Sequence, residues 1–323
     1  MLRRAAPDEM PAVVALCGSA LAWRAGEPNE ALFRWKHLDN PAGPSPIWVA
    51  EQDGVLVGVR AFLRWTFTAP GVDEIPAVRA VDTATHPDHQ GRGLFSQLTR
   101  HALPALRQEG TAFVFNTPND RSRPGYLKMG WSVVGHVPVA VAVRSPAALR
   151  RLATARVAAA KWSTPTDAGR DAAEVLADTD AIDALVAAAG RPTGLATRRS
   201  TAHLRWRYAG GPVTYRAVTA PAGGAEGVAL FRLRQRGDAT EAVLADVVVP
   251  EGPERDRRRR ALVRRVADES GADHVLAVSR RWLDGPLVAV PRLGPILTWR
   301  ALGWVVPPRR RTWALVLGDV ELF

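Results

Sequence analysis

Two glycines, Gly91 and Gly93, lie one residue apart shortly after an alternating run of residues that ends at Thr85. Glycine in such a turn adopts positive φ readily and lets a ligand approach the backbone closely. If a helix follows, its first N–H groups have no partner within the helix and lie at the positive end of the helix dipole. The spacing therefore predicts a binding site for an anion, above all a phosphate or diphosphate.

The residues after the turn argue against two common phosphate-binding loops. A dinucleotide fingerprint needs a third glycine, but Ser96 and Gln97 stand where it would lie, and no Gly-Lys-Ser/Thr follows for a Walker loop. The remaining interpretations are a different phosphate loop, or a turn that only caps a helix.

The elements around the turn form an alternating series. The patterns predict two helices, a hairpin (47–51 and 55–68), a strand (77–85), a helix from about Arg92, a strand (111–116), a short helix, and closing strands from Trp131. Interleaved strands and helices at these spacings predict an α/β fold with a mixed sheet. The turn lies at the centre of that sheet.

A repeat extends this arrangement along the chain. The segment "LFRWKHLDNP" (32–41) is echoed by "HLRWRYAGGP" (203–212), and Asp82 by Asp246. We predict two tandem copies of one fold, 1–145 and 172–323, joined by a helix and linker at 146–171. The second copy has no Gly-x-Gly at its corresponding loop, so we expect it to keep the fold without the anion site.

Two motifs resemble a known family. "QGRGLF" (90–95) is similar to the acetyl-CoA signature Q/R-x-x-G-x-G/A of the GNAT (GCN5-related) N-acetyltransferases, except that Phe95 replaces a small residue. "NDRSRPGYLKMGW" (119–131) resembles the later family segment N-x-x-A/S-x-x-x-Y-x-x-x-G-F/W. The sequence thus resembles a tandem GNAT protein with a degenerate second copy.

The resemblance implies that the first copy binds acetyl-CoA as cosubstrate, without a metal. The end of the 77–85 strand would pair with the pantetheine arm, and the turn amides would hold the pyrophosphate. Asn119 would bond the pantetheine or order its loop, although a plain helix cap is the equal alternative. The implied cofactor-binding residues are Thr83, Ala84, Thr85, Gln90, Gly91, Arg92, Gly93, Leu94, Phe95 and Asn119.

The resemblance also implies a proton donor. A phenol has an ordinary pKa near 10 and can protonate the departing thiolate of coenzyme A, which makes Tyr126 the family-matched general acid. The alternative is a core tyrosine that closes the short helix. The two interpretations differ in whether turnover needs the hydroxyl.

The general base has several candidates, since a carboxylate, a histidine or a chain of waters can accept the proton of the attacking amine. Asp82 lies on the central strand, but its echo in the second copy favours a structural role. His86 and His89 flank the turn, and the carboxylate of the final residue, Phe323, is a further candidate.

The net charge of +11 comes almost wholly from arginine, because Lys36, Lys128 and Lys161 are the only lysines. The basic residues are scattered and lack interleaved aromatics, which favours an acidic ligand over nucleic acid. The basic run 255–265 is interpreted as a solvated helix face, with a patch for an acidic acceptor or nucleic acid as the alternative.

The single cysteine, Cys17, excludes an intramolecular disulfide and a CxxC metal site. It shares a helical spacing with Met10, Val13, Val14 and Leu21, so we predict a buried structural thiol. No stretch reaches the ~18 apolar residues of a membrane span. These features favour a cytoplasmic protein.

We therefore expect an N-acetyltransferase that transfers the acetyl group of acetyl-CoA to a primary amine of a small molecule. The first alternative is a non-catalytic acyl-CoA-binding or regulatory module, in which Tyr126 is only structural. The second is a basic protein that associates with nucleic acid. Longer acyl donors also remain open, because Phe95 departs from the family signature.

Overall fold

A computed structural model gives the fold and describes residues 1–279, 283–284, 286–303 and 312–321. The chain forms two compact units, and each contains separate stretches of sequence. The first unit is Met1–Gly135, Gly194–Arg198 and Pro295–Trp313; the second is His136–Thr193, Arg199–Gly294 and Ala314–Phe323.

The strands are numbered along the chain within the described residues. They are β1 (Leu2–Arg4), β2 (Ile47–Gln52), β3 (Val55–Ala69), β4 (Val72–Thr85), β5 (Phe113–Asn116), β6 (Ser132–His136), β7 (Val139–Val143), β8 (Arg170–Asp171), β9 (Ala196–Thr197), β10 (Arg216–Ala220), β11 (Gly223–Arg236), β12 (Ala239–Val248), β13 (His274–Val278), β14 (Leu283–Asp284), β15 (Leu287–Val290) and β16 (Ile296–Ala301).

The helices are numbered in the same way, and two short 3-10 turns lie at Pro7–Glu9 and Pro87–His89. The α-helices are α1 (Met10–Ala20), α2 (Asn29–His37), α3 (Leu94–Gln108), α4 (Arg123–Lys128), α5 (Pro146–Thr154), α6 (Ala172–Ala177), α7 (Thr179–Ala188), α8 (Thr201–Ala209), α9 (Arg255–Glu269) and α10 (Leu317–Val320). None of the helices in these described stretches is long and apolar enough to cross a membrane.

The first unit is built on a mixed sheet in the order β1-β2-β3-β4-β5-β16-β6, with β9 beside β3. β4 and β5 run parallel, whereas β3 pairs antiparallel with both β2 and β4. The predicted mixed α/β class is therefore confirmed. The predicted hairpin, central strand and following helix lie where expected, although the strand begins earlier, at Val72, and the helix later, at Leu94.

Helices cover both faces of this sheet because alternate residues of β3 belong to two different apolar clusters. Ala61 packs with Cys17 of α1 and Phe33 of α2. Phe62 packs with Leu98 of α3 and Tyr126 of α4. The long β4 strand lies in the middle, so its alternate side chains face the two helical layers.

The second unit has its own mixed sheet, in the order β14-β15-β7-β13-β12-β11-β10-β8. β12 and β13 are parallel and the strands that flank them are antiparallel, as around β4 and β5. Apolar residues of α9, including Leu262, Val263 and Val266, pack on this sheet. Two mixed sheets of similar layout are consistent with the predicted repeat.

The units depart from the predicted division into 1–145 and 172–323. β7, from the first half of the sequence, lies between β15 and β13 in the second sheet. β16, from the second half, lies between β5 and β6 in the first sheet. Each sheet is therefore completed by a strand from the other half of the chain, which local patterns cannot reveal.

Candidate active site

The glycine turn has the backbone geometry that the sequence predicts. Gly91 has a φ of 75°, and Gly93, with a φ of 73°, is the left-handed residue directly before α3. A side chain at Gly91 would meet no protein atom within 4 Å. The turn is exposed, and the space that the missing side chain leaves beside the backbone is open to solvent and not filled by another part of the protein.

The turn also presents unpaired donors. In the described part of the chain, the backbone N–H groups of residues 91–95 bond to no protein acceptor, whereas Gln90 N–H bonds to Pro87. The first intrahelical bonds run from Ser96 and Gln97 back to the Gly93 carbonyl. Five successive N–H groups at the positive end of a 15-residue helix suit an anion.

β4 has an open edge next to this turn. On one side β4 pairs with β3 as far as Thr85, opposite Gly58. On the other side it pairs with β5 only from Ala77 to Arg79. Within the described residues, the β5-facing edge of β4 therefore has no strand partner over 80–85, and it offers backbone donors and acceptors to an extended ligand.

Tyr126 lies near this open edge, on α4, and is 4% exposed. Its ring lies between Phe95, at a centroid distance of 5.1 Å, and Trp131, at 5.2 Å. Its hydroxyl oxygen accepts a hydrogen bond of 2.6 Å from Arg60 Nη2, and Arg60 Nη1 donates to the Thr83 hydroxyl. Arg60 thus connects two residues, Thr83 and Tyr126, that the family resemblance singles out.

Sequence reasoning missed Arg60, which motif matching does not mark. A signal was nonetheless present, since an arginine between Val59 and Ala61 interrupts an apolar strand. Arginine is almost never fully buried without a partner. Such a position is a candidate for a role in a site.

Asp82 faces the opposite side of the sheet from Thr83. It is an extra residue in a β-bulge, because Arg60 pairs with Thr83 and Ala61 with Val81, and its φ is 40°. Its carboxylate accepts hydrogen bonds from Lys36 Nζ and, at 2.8 Å, from His37 Nε2.

These partners determine the charge of Asp82. Burial alone would raise the pKa of its carboxyl, but the Lys36 ammonium and the His37 hydrogen bond outweigh burial and hold that pKa below its ordinary value. Such a carboxylate binds a proton weakly. Burial, and then the charge of Asp82, raise the pKa of the neighbouring Cys17 thiol to about 12, consistent with the predicted structural thiol.

The other candidates lie around the turn or outside the site. Asn119 Oδ1 accepts hydrogen bonds from the backbone and hydroxyl of Ser122, which orders the start of α4. His86 accepts from the Asp88 N–H at 3.3 Å, and the His89 and Arg92 side chains lie 3.4 Å apart. Phe323 lies outside the described residues.

Two further features bear on other ligand classes. Much of the predicted basic run on α9 is ion-paired: Arg255 with Glu251, Arg257 with Glu254, Arg258 with Glu226 and Arg265 with Glu269. This pairing is typical of a solvated helix face. Among the residues that the structure describes, no group of three or more His, Cys, Asp or Glu side chains could hold a metal ion.

Comparison with known proteins agrees with this geometry. A family model described as an acetyltransferase (GNAT) domain matches residues 1–134. No curated protein matches the sequence.

Solved structures match both halves of the chain. A GCN5-related N-acetyltransferase from Anabaena variabilis matches with a TM-score of 0.64 and 13% identity, over 94% of this chain and 73% of that one. Eis1 from Mycobacterium abscessus matches with a TM-score of 0.59 and 18% identity, over 94% and 74%.

The N-myristoyltransferase of Saccharomyces cerevisiae, solved with bound myristoyl-CoA, matches with a TM-score of 0.56 and 10% identity, over 95% of this chain and 80% of that one. At these identities the likeness concerns the fold. The glycine turn and the open β4 edge both lie within residues 1–134, the part of the chain that matches the acetyltransferase (GNAT) domain model.

Proposed function

We propose that the protein is an N-acetyltransferase that transfers the acetyl group of acetyl-CoA to a primary amine of a small molecule. The observation that carries this proposal is the run of unpaired N–H groups at 91–95 directly beside the open β4 edge. A diphosphate and an extended amide-containing arm are the two chemical parts that these features suit.

Backbone groups supply most of the binding. The amides of 91–95 hold the pyrophosphate, with Gln90 at the start of the turn and the Arg92 side chain on its rim. Thr83, Ala84 and Thr85 offer their backbone to the pantetheine arm. Asn119 already uses its carbonyl oxygen within the protein, so its amide nitrogen is the group left for the ligand.

The chemistry needs two proton movements. The neutral amine nitrogen attacks the thioester carbonyl carbon, which forms a C–N bond and places the electron pair on oxygen. When the carbonyl re-forms, the C–S bond breaks, its electron pair leaves on sulfur, and Tyr126 gives its phenolic proton to that sulfur. The nitrogen loses its extra proton to water or to a base, and water reprotonates the tyrosine.

Asp82 is a weaker catalytic candidate than Tyr126. Its carboxylate is already bonded to Lys36 and His37 and has a lowered pKa, so it takes a proton from an ammonium group less readily than an ordinary aspartate. We expect its main contribution to be the local backbone conformation.

A cytoplasmic location stays a prediction.

The second unit is proposed to lack a coenzyme site. The segment before α9 has Glu254 at the helix start and Asp256 in its first turn, and acidic groups there already occupy the positive end of the helix.

The first experiment is calorimetric titration with acetyl-CoA, free coenzyme A and myristoyl-CoA. We expect one site per chain and a preference for acetyl-CoA. Gly91→Ala and Gly93→Ala should weaken binding by about 10- to 100-fold, because a methyl group keeps the diphosphate from one or two amides. A thiol-release assay with amino acids, diamines, amino sugars and lysine peptides then identifies the acceptor class.

Gly110→Ala is the matched control. Gly110 has a φ of 82°, and its substituent would also meet nothing within 4 Å, but it follows the other end of α3. It imposes the same backbone strain without touching the turn, so binding should be unchanged. If the three variants bind acetyl-CoA as the wild type does, the turn does not hold the diphosphate and the acetyltransferase proposal fails.

The non-catalytic alternative makes a different prediction. An acyl-CoA-binding module would bind acetyl-CoA through the same turn but release no thiol with any amine. Tyr126→Phe would then change nothing measurable, whereas the enzyme should lose turnover and keep its affinity for acetyl-CoA.

A further inference from the structure

Arg60 places a positive charge inside the core of the first unit. The residue is 1% exposed, and a guanidinium stays protonated in proteins. Arg232, a fully buried arginine of the second unit, has a carboxylate partner in Glu321 at 2.6 Å. Arg60 has no such partner among the described residues, and its Nε has no hydrogen-bond acceptor.

Aromatic rings surround the guanidinium in place of a carboxylate. Its central carbon lies 5.0 Å from the ring centroid of Phe62, 5.3 Å from that of Phe95 and 5.4 Å from that of Tyr126. Ring faces stabilise a cation only partly, and an uncompensated buried charge is costly. The site is therefore positive in the free protein and is prepared for negative charge that develops nearby.

The hydrogen bond from Arg60 determines which part of the Tyr126 hydroxyl group remains free to bond. A guanidinium can only donate, so the Tyr126 oxygen accepts in the 2.6 Å bond from Arg60 Nη2. The phenolic hydrogen is not used in that bond. No acceptor for it exists within the described part of the chain, which leaves it available to an atom outside the protein.

We propose that Arg60 is a positioning residue for acyl transfer, which keeps Tyr126 as a proton donor and stabilises the charge left after it donates. As the C–S bond breaks and its electron pair moves to sulfur, the phenolic proton moves to that sulfur. The resulting tyrosinate lies beside the Arg60 cation until water returns a proton. This inference rests on the proposed function and on Tyr126 as its acid.

A double-mutant cycle tests this role. The variants are Arg60→Met, Tyr126→Phe and the two together, measured with acetyl-CoA and the amine that the wild type turns over fastest. We expect kcat to fall by about 10²-fold in Tyr126→Phe and by about 10²-fold in Arg60→Met. Because Arg60 acts through Tyr126, the double variant should lie within about twofold of Tyr126→Phe alone.

Three other variants separate charge, hydrogen bonding and packing. Arg60→Lys keeps a charge and a donor and should retain part of kcat, whereas Arg60→Gln keeps a donor without charge and should retain less. Arg64→Met is the matched control, since Arg64 lies on the same strand but bonds to Pro44 and Glu109 at the surface. It should leave kcat unchanged. The affinity for acetyl-CoA should change little in all of them.

A spectroscopic measurement needs no acceptor. The chain has three tyrosines, so labelling their ζ carbons with ¹³C gives a simple spectrum in which Tyr126 is the signal absent from Tyr126→Phe. That signal should shift in Arg60→Met and stay in place in Arg64→Met. If Arg60→Met does not fold, Arg60→Lys and Arg60→Gln serve in the same measurements.

The outcomes distinguish this inference from the function on which it rests. A wild type that neither binds acetyl-CoA nor releases thiol refutes the proposed function. A wild type that turns over, with additive losses in the cycle and an unmoved Tyr126 signal, refutes the role of Arg60 alone. Non-additive losses with a shifted signal support it.

Discussion

His37 is a fully buried histidine that bonds through both ring nitrogens, and this bonding has a consequence for acid stability. Nε2 lies 2.8 Å from Asp82 Oδ2, and Nδ1 lies 2.9 Å from Ser45 Oγ. Burial lowers the pKa of His37, and the bond to Asp82 opposes that shift only in part. The folded ring is therefore neutral, donating to Asp82 and accepting from Ser45.

This arrangement predicts a loss of stability in mild acid. Below the ordinary histidine pKa of about 6.5, the unfolded chain binds a proton at His37 that the folded chain does not. The free energy of unfolding should therefore fall by up to about 2 kcal/mol between pH 6.5 and 5. Urea unfolding at both values, with His37→Gln as the comparison, measures the difference.

Asp82 affects stability over a different and more acidic pH range than His37. Its pKa is lowered in the folded state, so its stabilising contribution is present above the ordinary aspartate pKa and is lost only at more acidic pH. That window lies above the range in which Asp82 acts. It also includes His203, a second buried histidine whose pKa burial lowers to about 3, so the contribution of His37 is the difference between the wild type and His37→Gln. If the slope of stability against pH is the same in His37→Gln as in the wild type, the buried ring is not the group responsible.

The backbone conformation of the glycine turn was predictable from sequence because its signal is local. Gly91 and Gly93 mark their own backbone conformation, and Tyr126 lies at a fixed distance from them in the motif. The partners of these residues were not predictable in the same way. Arg60 lies 66 positions from Tyr126, and Lys36 lies 46 from Asp82, so no local periodicity reports either contact.

The sequence repeat pairs Asp82 with Asp246, but the two aspartates do not hold equivalent positions in the two sheets. In the second unit Leu230 pairs with Asp246 and Phe231 with Leu244, which makes Ala245 the extra residue of that bulge. Asp82 is the extra residue of the first bulge. The strand register therefore places Asp246 at the position equivalent to Thr83, one residue after that of Asp82. Comparison of the two sequences does not show which residue a bulge inserts, so it pairs the two aspartates.

At the scale of elements, α4 is fitted closely to the start of α3. A methyl group at Gly125 would lie 2.9 Å from Cε1 of Phe95, which in turn packs against Tyr126. Phe95 is the position where the sequence departs from the family signature. The glycine on α4 therefore accommodates the large residue on α3.

This fit predicts that Gly125→Ala changes stability in opposite directions in the wild type and in a Phe95→Ala variant. Gly125→Ala in the wild type should destabilise by about 1 kcal/mol, because overpacking outweighs the better helix propensity of alanine. In a Phe95→Ala background the clash is absent, and Gly125→Ala should stabilise by about 0.5–1 kcal/mol. Thermal unfolding of the four proteins tests this, and the same sign in both backgrounds would contradict it.

At the scale of the whole molecule, β7 and β16 are exchanged strands: each lies in the sheet built mainly from the other half of the chain. They determine which piece of the chain can fold. β5 pairs with β16 through Thr298 to Ala301, and Trp313 packs against Phe113 and Phe115. A chain that ends at residue 145 lacks both and also carries β7 without its sheet. In that piece β5 would pair with β4 on one side only, and an open strand edge together with an unused apolar strand favours aggregation.

We therefore predict that residues 1–145 alone do not form a stable monomer, although they contain every motif of the site. Residues 1–136 joined by a short glycine-containing link to 295–313 should do better, because His136 Nδ1 lies 2.8 Å from the Gly294 carbonyl and the link is short. Circular dichroism, size-exclusion chromatography and acetyl-CoA titration compare the two. Cooperative unfolding and full acetyl-CoA affinity in the 1–145 piece would mean that the exchanged strand is dispensable, whereas binding by the joined piece alone would make β16 part of the minimal catalytic unit.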